Sequence, residues 1–114
     1  MNERRELRRR RLIHSLELYD RASERFLCKG VDVTIKGLLL VTEISVPQDT
    51  ALQLRMTLPE PMFGKDHIEL DAVAVWRSKD VNPGFYDVGL EFTRISPRDQ
   101  EIIRQVISMF SVVG

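Results

Sequence analysis

Leu52-Gln53-Leu54-Arg55-Met56-Thr57-Leu58 alternates apolar and polar residues without a break. Side chains on an extended strand point to opposite faces in turn. This spacing therefore puts Leu52, Leu54, Met56 and Leu58 on one face and Gln53, Arg55 and Thr57 on the other. Pro59 and Pro61 lack the amide hydrogen that a ladder needs and are expected to stop the strand. The segment predicts a half-buried strand with one side on a core.

The same reading extends in both directions. Downstream, Ile68-Glu69-Leu70-Asp71-Ala72-Val73-Ala74-Val75-Trp76-Arg77 is strand-like, Asn82-Pro83-Gly84 is a turn, and Tyr86, Val88, Leu90 and Phe92 alternate with Asp87, Gly89, Glu91 and Thr93. Upstream, Leu38-Leu39-Leu40-Val41 reads as a buried strand, and Pro47-Gln48-Asp49 as a turn after it. Leu12–Tyr19 and Arg25–Val31 read as a hairpin about the polar turn Asp20-Arg21-Ala22-Ser23. Only the last element changes period. Ser96 suits a helix N-cap, Pro97 the first helical position and Asp99 a Ser-x-x-Asp capping pattern. Ile102, Ile103, Val106, Ile107 and Phe110 then share one face at helical spacing. The expectation is an all-β fold: a six-stranded antiparallel barrel with a C-terminal α-helix, residues 97–110, packed on it.

Composition sets the class. The chain has 114 residues, 43% hydrophobic and 30% charged, enough for one domain with its own core. No apolar run is long enough to span a membrane, and no secretory signal is evident. Cys28 is the only cysteine, so an internal disulfide is excluded and a cytoplasmic setting fits. It reads as a small buried hydrophobe. His14 and His67 have no ligand-spaced partners, so no metal is expected, and no nucleophile elbow or phosphate loop is present. Catalytic residues are not expected. Trp76 reads first as a barrel-packing aromatic, with a stacking platform as the alternative.

Charge is uneven. Residues 1–11 carry six arginines and two glutamates, a net +4, so the other 103 residues carry −4. A basic arm on a mildly acidic body argues against a broad face for DNA or RNA. With no apolar periodicity, residues 1–11 are expected to be a flexible arm ahead of a barrel domain at 12–114. About twenty residues further on, Asp32-Val33-Thr34-Ile35-Lys36-Gly37 offers a carboxylate, a hydroxyl and a glycine at one turn. Arginine forks match phosphates and guanine edges and stack on bases. Arm and turn together suit a compact ligand with several phosphates and hydrogen-bonding ring edges.

This layout resembles the PilZ domain, a bacterial receptor for cyclic diguanylate (c-di-GMP). The family signature is Arg-x-x-x-Arg ahead of the first strand, followed by [Asp/Asn]-x-Ser-x-x-Gly between the second and third. Arg5-Glu6-Leu7-Arg8-Arg9 matches the first part and Asp32–Gly37 the second, with Thr34 in place of serine. Arg4/Arg8 has the same spacing as Arg5/Arg9; the latter is preferred because Arg4 then supplies the preceding arginine often seen there. Val73–Trp76 and Asp87–Phe92 resemble later family strands, and the terminal helix also fits.

The resemblance implies c-di-GMP as ligand, with Arg4, Arg5, Arg9, Asp32, Thr34 and Gly37 around it, no cofactor, and a protein partner of unknown identity. Ligand binding would order the arm and so signal to that partner. The competing readings are a PilZ-like adaptor that binds no nucleotide, a nucleic-acid-binding small barrel, and a flavin split barrel.

Overall fold

The computed structural model describes residues 10–113. Among these the order is β1 (Arg10–Asp20), β2 (Phe26–Val33), β3 (Gly37–Thr42), β4 (Ala51–Met62), β5 (Lys65–Lys79), β6 (Tyr86–Arg94), α1 (Pro97–Phe110) and β7 (Ser111–Val113). All pairings are antiparallel. The sheet runs β2-β3-β6-β5-β4-β1-β7, and β1 also pairs with β2. That last pairing closes six strands into a barrel and leaves β7 as a short addition beside β1.

The alternating residues fill the interior as their spacing dictates. Leu54, Met56 and Leu58 face Ile68, Leu70, Ala72 and Ala74, and Leu16, Leu18, Leu38, Leu40, Val88 and Leu90 complete the ring. Burying each large aliphatic side chain contributes about 1.5–3 kcal/mol, so closure of the barrel is driven mainly from here. The helix covers the remaining opening with Ile102, Ile103 and Val106, against β1 and β4. The Ser96 hydroxyl caps it by accepting from the Asp99 amide at 3.1 Å. Asp99 itself is buried and takes the Lys65 ammonium at 3.0 Å, which ties the helix start to the β4–β5 hairpin.

Strand ends shift by a few residues, β2 to Phe26–Val33 and β5 to Lys65–Lys79, and three departures from the sequence expectation go further. β4 does not stop at Pro59 but continues through Pro61 to Met62. Its register against β5 breaks between Thr57 and Met62, so both prolines sit where no regular ladder bond is required. The hairpin then turns at Phe63 and Gly64, both with positive φ (53° and 76°), the geometry that matches strand twist. β1 begins at Arg10 rather than Leu12, so Arg10 and Arg11 belong to the sheet. Finally, β7 is an element with no counterpart in the sequence reading; three residues give too short a pattern to register.

The β1–β2 turn is built as read. The Asp20 carboxylate accepts from the Ser23 amide and hydroxyl, both at 2.8 Å, and these bonds hold its carboxyl below the usual carboxylate range.

Candidate functional site

Asp32, Thr34 and Gly37 meet at the β2–β3 turn, at the barrel end where β1 begins. The Thr34 amide donates to the Gly37 carbonyl at 2.9 Å and closes the turn. The Thr34 hydroxyl oxygen accepts from the Lys36 amide (3.1 Å) and the Gly37 amide (3.2 Å). Both of its lone-pair directions are therefore used inside the turn, and what it retains for a ligand is its proton. The Lys36 carbonyl accepts from the Phe92 amide at 2.7 Å, which stitches the turn to β6.

That arrangement yields an expected result in the ligand-free protein. Thr34→Val leaves two turn amides without their acceptor and should destabilise the fold by about 1–2 kcal/mol. Thr34→Ser keeps the oxygen and should melt with the wild type. Urea denaturation of the three proteins measures this; a valine variant as stable as wild type would show that the hydroxyl does not organise the turn.

The fold leaves no room for a side chain at Gly37. A Cβ there would sit 1.9 Å from the Leu90 carbonyl oxygen, so the glycine lets β3 lie against the β6 backbone. The sequence expectation assigns it to the turn and to ligand approach; the β6 backbone adds a reason that needs no ligand.

Asp32 is 6% exposed, although register puts it on the outer face. It pairs with Leu39, Leu39 pairs with Gly89, and Gly89 pairs with Trp76. Directly opposed residues project to the same face. Asp32, Leu39, Gly89 and Trp76 thus form one outward row across β2, β3, β6 and β5. The Trp76 indole lies over Gly89, where a Cβ would meet Nε1 at 2.2 Å. The residue is 41% exposed. Trp76 therefore packs on the outer surface of the barrel and not in its interior. It is a shelf on the same outer row as Asp32, seated by a glycine.

The row also meets the end of the arm. β1 pairs Arg11 with Asp32 and Arg10 with Val33. Arg4, Arg5 and Arg9, expected to clamp the ligand, lie outside the described residues.

Elsewhere the chemistry is sparse. Burial pushes the Cys28 thiol up to about 12, with a hydrogen bond to Thr42 opposing, so it stays protonated. Lys65, Asp66, His67, Glu69 and Asp99 line an open depression of about 680 Å³ beside the helix start. Its buried acid is already paired with Lys65. Among the described residues no cluster of three or more His, Cys, Asp or Glu side chains could hold a metal ion.

A profile of the PilZ domain matches residues 2–108. The chain belongs to the PilZ domain family. No curated protein sequence matches it. Solved structures share its fold. One is the Bacillus subtilis inhibitor of motility MotI/DgrA, with a TM-score of 0.71 and 22% identity over 94% of this chain and 50% of that one. Another is the PilZ domain of Escherichia coli YcgR with c-di-GMP, with a TM-score of 0.66 and 16% identity over 93% of this chain and 90% of that one. A third is K. pneumonia MrkH in its apo state, with a TM-score of 0.72 and 18% identity over 95% of this chain and 52% of that one. This PilZ chain thus spans about half the length of MotI and of MrkH. No helix among the described residues is long and apolar enough to cross a membrane.

Proposed function

We propose that this PilZ chain is a bacterial cytoplasmic receptor for c-di-GMP, without catalytic activity, that signals to a protein partner as its arginine arm orders on the ligand. The observation that carries this reading is the outer row. It sets a buried carboxylate beside the root of an arginine-rich segment and an exposed indole three strands away. A dinucleotide with two guanines and two phosphates needs those partners. The carboxylate accepts from a guanine N1–H and N2–H₂, the indole offers a face for a base, the Thr34 proton goes to an acceptor, and the arginines take phosphate or the O6/N7 edge. The YcgR domain, of the same fold, was solved with this ligand.

Magnitudes set the character of the binding. Hydrogen bonds to charged groups contribute about 1.5–3 kcal/mol each, and fixing each arm residue costs roughly 1–2 kcal/mol. A few arginine contacts offset the ordering of a short segment and no more. Affinity is therefore modest and falls as salt screens the arm.

Trp76 is the only tryptophan, so its fluorescence reports directly on the row. Titration with c-di-GMP should change it saturably, weaken with added salt, and match the calorimetric midpoint. GTP and the linear dinucleotide should give little response. Binding only at millimolar ligand, or an equal response to GTP, would overturn the receptor reading and leave the adaptor one.

A further inference from the structure

The root of the arm is held from both sides. β1 is a ladder in two parts. From Leu16 onward it pairs with β2, and from Leu18 to Asp20 also with β4. Between Arg11 and Leu16 the register slips, because β1 advances five residues while β2 retreats only from Asp32 to Gly30. The pairing of Arg10 and Arg11 is thereby set apart from the rest of the β1–β2 ladder, although the strand itself runs unbroken to Asp20. On the β2 side the Arg10–Leu12 segment keeps only Arg10 opposite Val33 and Arg11 opposite Asp32. Its other flank is the one β4 occupies further along, and here β7 takes that place: Arg10 lies opposite Val113, Arg11 opposite Val112 and Leu12 opposite Ser111.

β7 has no slack. It begins at the residue after Phe110, where α1 ends. The helix is fixed by Ile102, Ile103 and Val106 in the core and by the Asp99–Lys65 pair at its start. A rigid helix thus delivers three residues to the open flank of the arm root.

We infer that β7 is a brace that holds the root of the arginine arm in the sheet, so that the C-terminal segment positions the ligand-binding arm. A two-residue pairing alone cannot offset the entropy of fixing that segment; with a strand on each side it can. With Arg10–Leu12 already held in the sheet, the ligand need not order them, and its affinity is higher by that much. This consequence for affinity rests on the receptor reading above; the brace itself does not. Coupling is reciprocal, so a ligand that fixes the arm must also steady β7.

The test uses the full chain with Val112→Pro and Val113→Pro together. Antiparallel neighbours alternate between bonded and non-bonded pairs, so one of these two adjacent prolines removes a ladder amide. In the ligand-free variant, amide exchange at Arg10–Leu12 should quicken by at least roughly tenfold while β3 and β6 keep their protection. Affinity for c-di-GMP should fall about tenfold, since the root must then be ordered by the ligand. In the wild type, saturating c-di-GMP should slow exchange at Val112 and Val113.

Unchanged exchange at Arg10–Leu12 in the variant overturns the brace. So does loss of protection throughout the barrel, which would make β7 a stave of the fold rather than a support of the arm. Ligand binding with no effect on β7 exchange overturns the coupling. If the wild type binds no c-di-GMP, the receptor reading falls, and exchange in the ligand-free pair still decides the brace.

Discussion

An Arg5→Ala, Arg9→Ala double variant is expected to lose c-di-GMP binding by roughly a hundredfold to ten-thousandfold, the equivalent of two charge-assisted contacts at about 1.5–3 kcal/mol each. Its melting temperature without ligand should stay within about 2 °C of wild type, since the receptor reading gives these arginines to the ligand and not to the fold. Among the residues whose burial is described, the apolar core starts at Leu16, and the helix cap and hairpin turns lie later still. Arg4→Ala with Arg8→Ala is the matched control for register and should cost less. Calorimetric titration and a thermal melt of each protein decide the matter. A double variant that melts early makes the arginines structural; one that binds as wild type places the clamp elsewhere.

The barrel was readable because its information is local. Leu52–Leu58 and Tyr86–Thr93 alternate cleanly, and Ser96–Asp99 with Ile102, Ile103 and Val106 spell a capped, one-faced helix. What escaped were features set by strands meeting one another. Arg10 and Arg11 carry no apolar alternation, so nothing in their own sequence announces a strand; β2 and β7 supply the pairing. Pro59 and Pro61 are sound strand-stoppers by themselves, and only the irregular β4–β5 register lets the strand run past them.

The site divides along the same line. Asp32, Thr34 and Gly37 lie within six residues, so a short motif brings them together whatever the rest of the fold does. Trp76 joins them only through the registers of β2 with β3, β3 with β6 and β6 with β5. No local pattern encodes three registers in series. One signal was nonetheless present. Gly89 sits inside an alternating strand where a side chain would normally add packing, and an interior strand glycine marks a close approach by another group. That group is the indole.

The largest expected effect on the fold itself is at Gly37. The added Cβ of Gly37→Ala would lie 1.9 Å from the Leu90 carbonyl oxygen, 3.0 Å from its carbon and 3.2 Å from Glu91 Cα. All three are backbone atoms, so no rotamer change relieves the contact. β3 and β6 must part where Gly37 opposes Glu91, and the 2.7 Å bond from the Phe92 amide to the Lys36 carbonyl is strained with them. Overpacking costs about 1–3 kcal/mol and a lost hydrogen bond about 1 kcal/mol. A drop of about 2–4 kcal/mol follows, or roughly 10–25 °C in melting temperature for a domain of this size. Gly89→Ala is the instructive contrast. There the obstacle is the Trp76 side chain, which can swing off the surface. That variant should lose less stability and instead shift the tryptophan emission. Thermal melts of both without ligand separate two reasons for a glycine at position 37. If Gly37→Ala melts with wild type yet fails to bind c-di-GMP, ligand approach is what requires the glycine. If it melts early, the β6 backbone does.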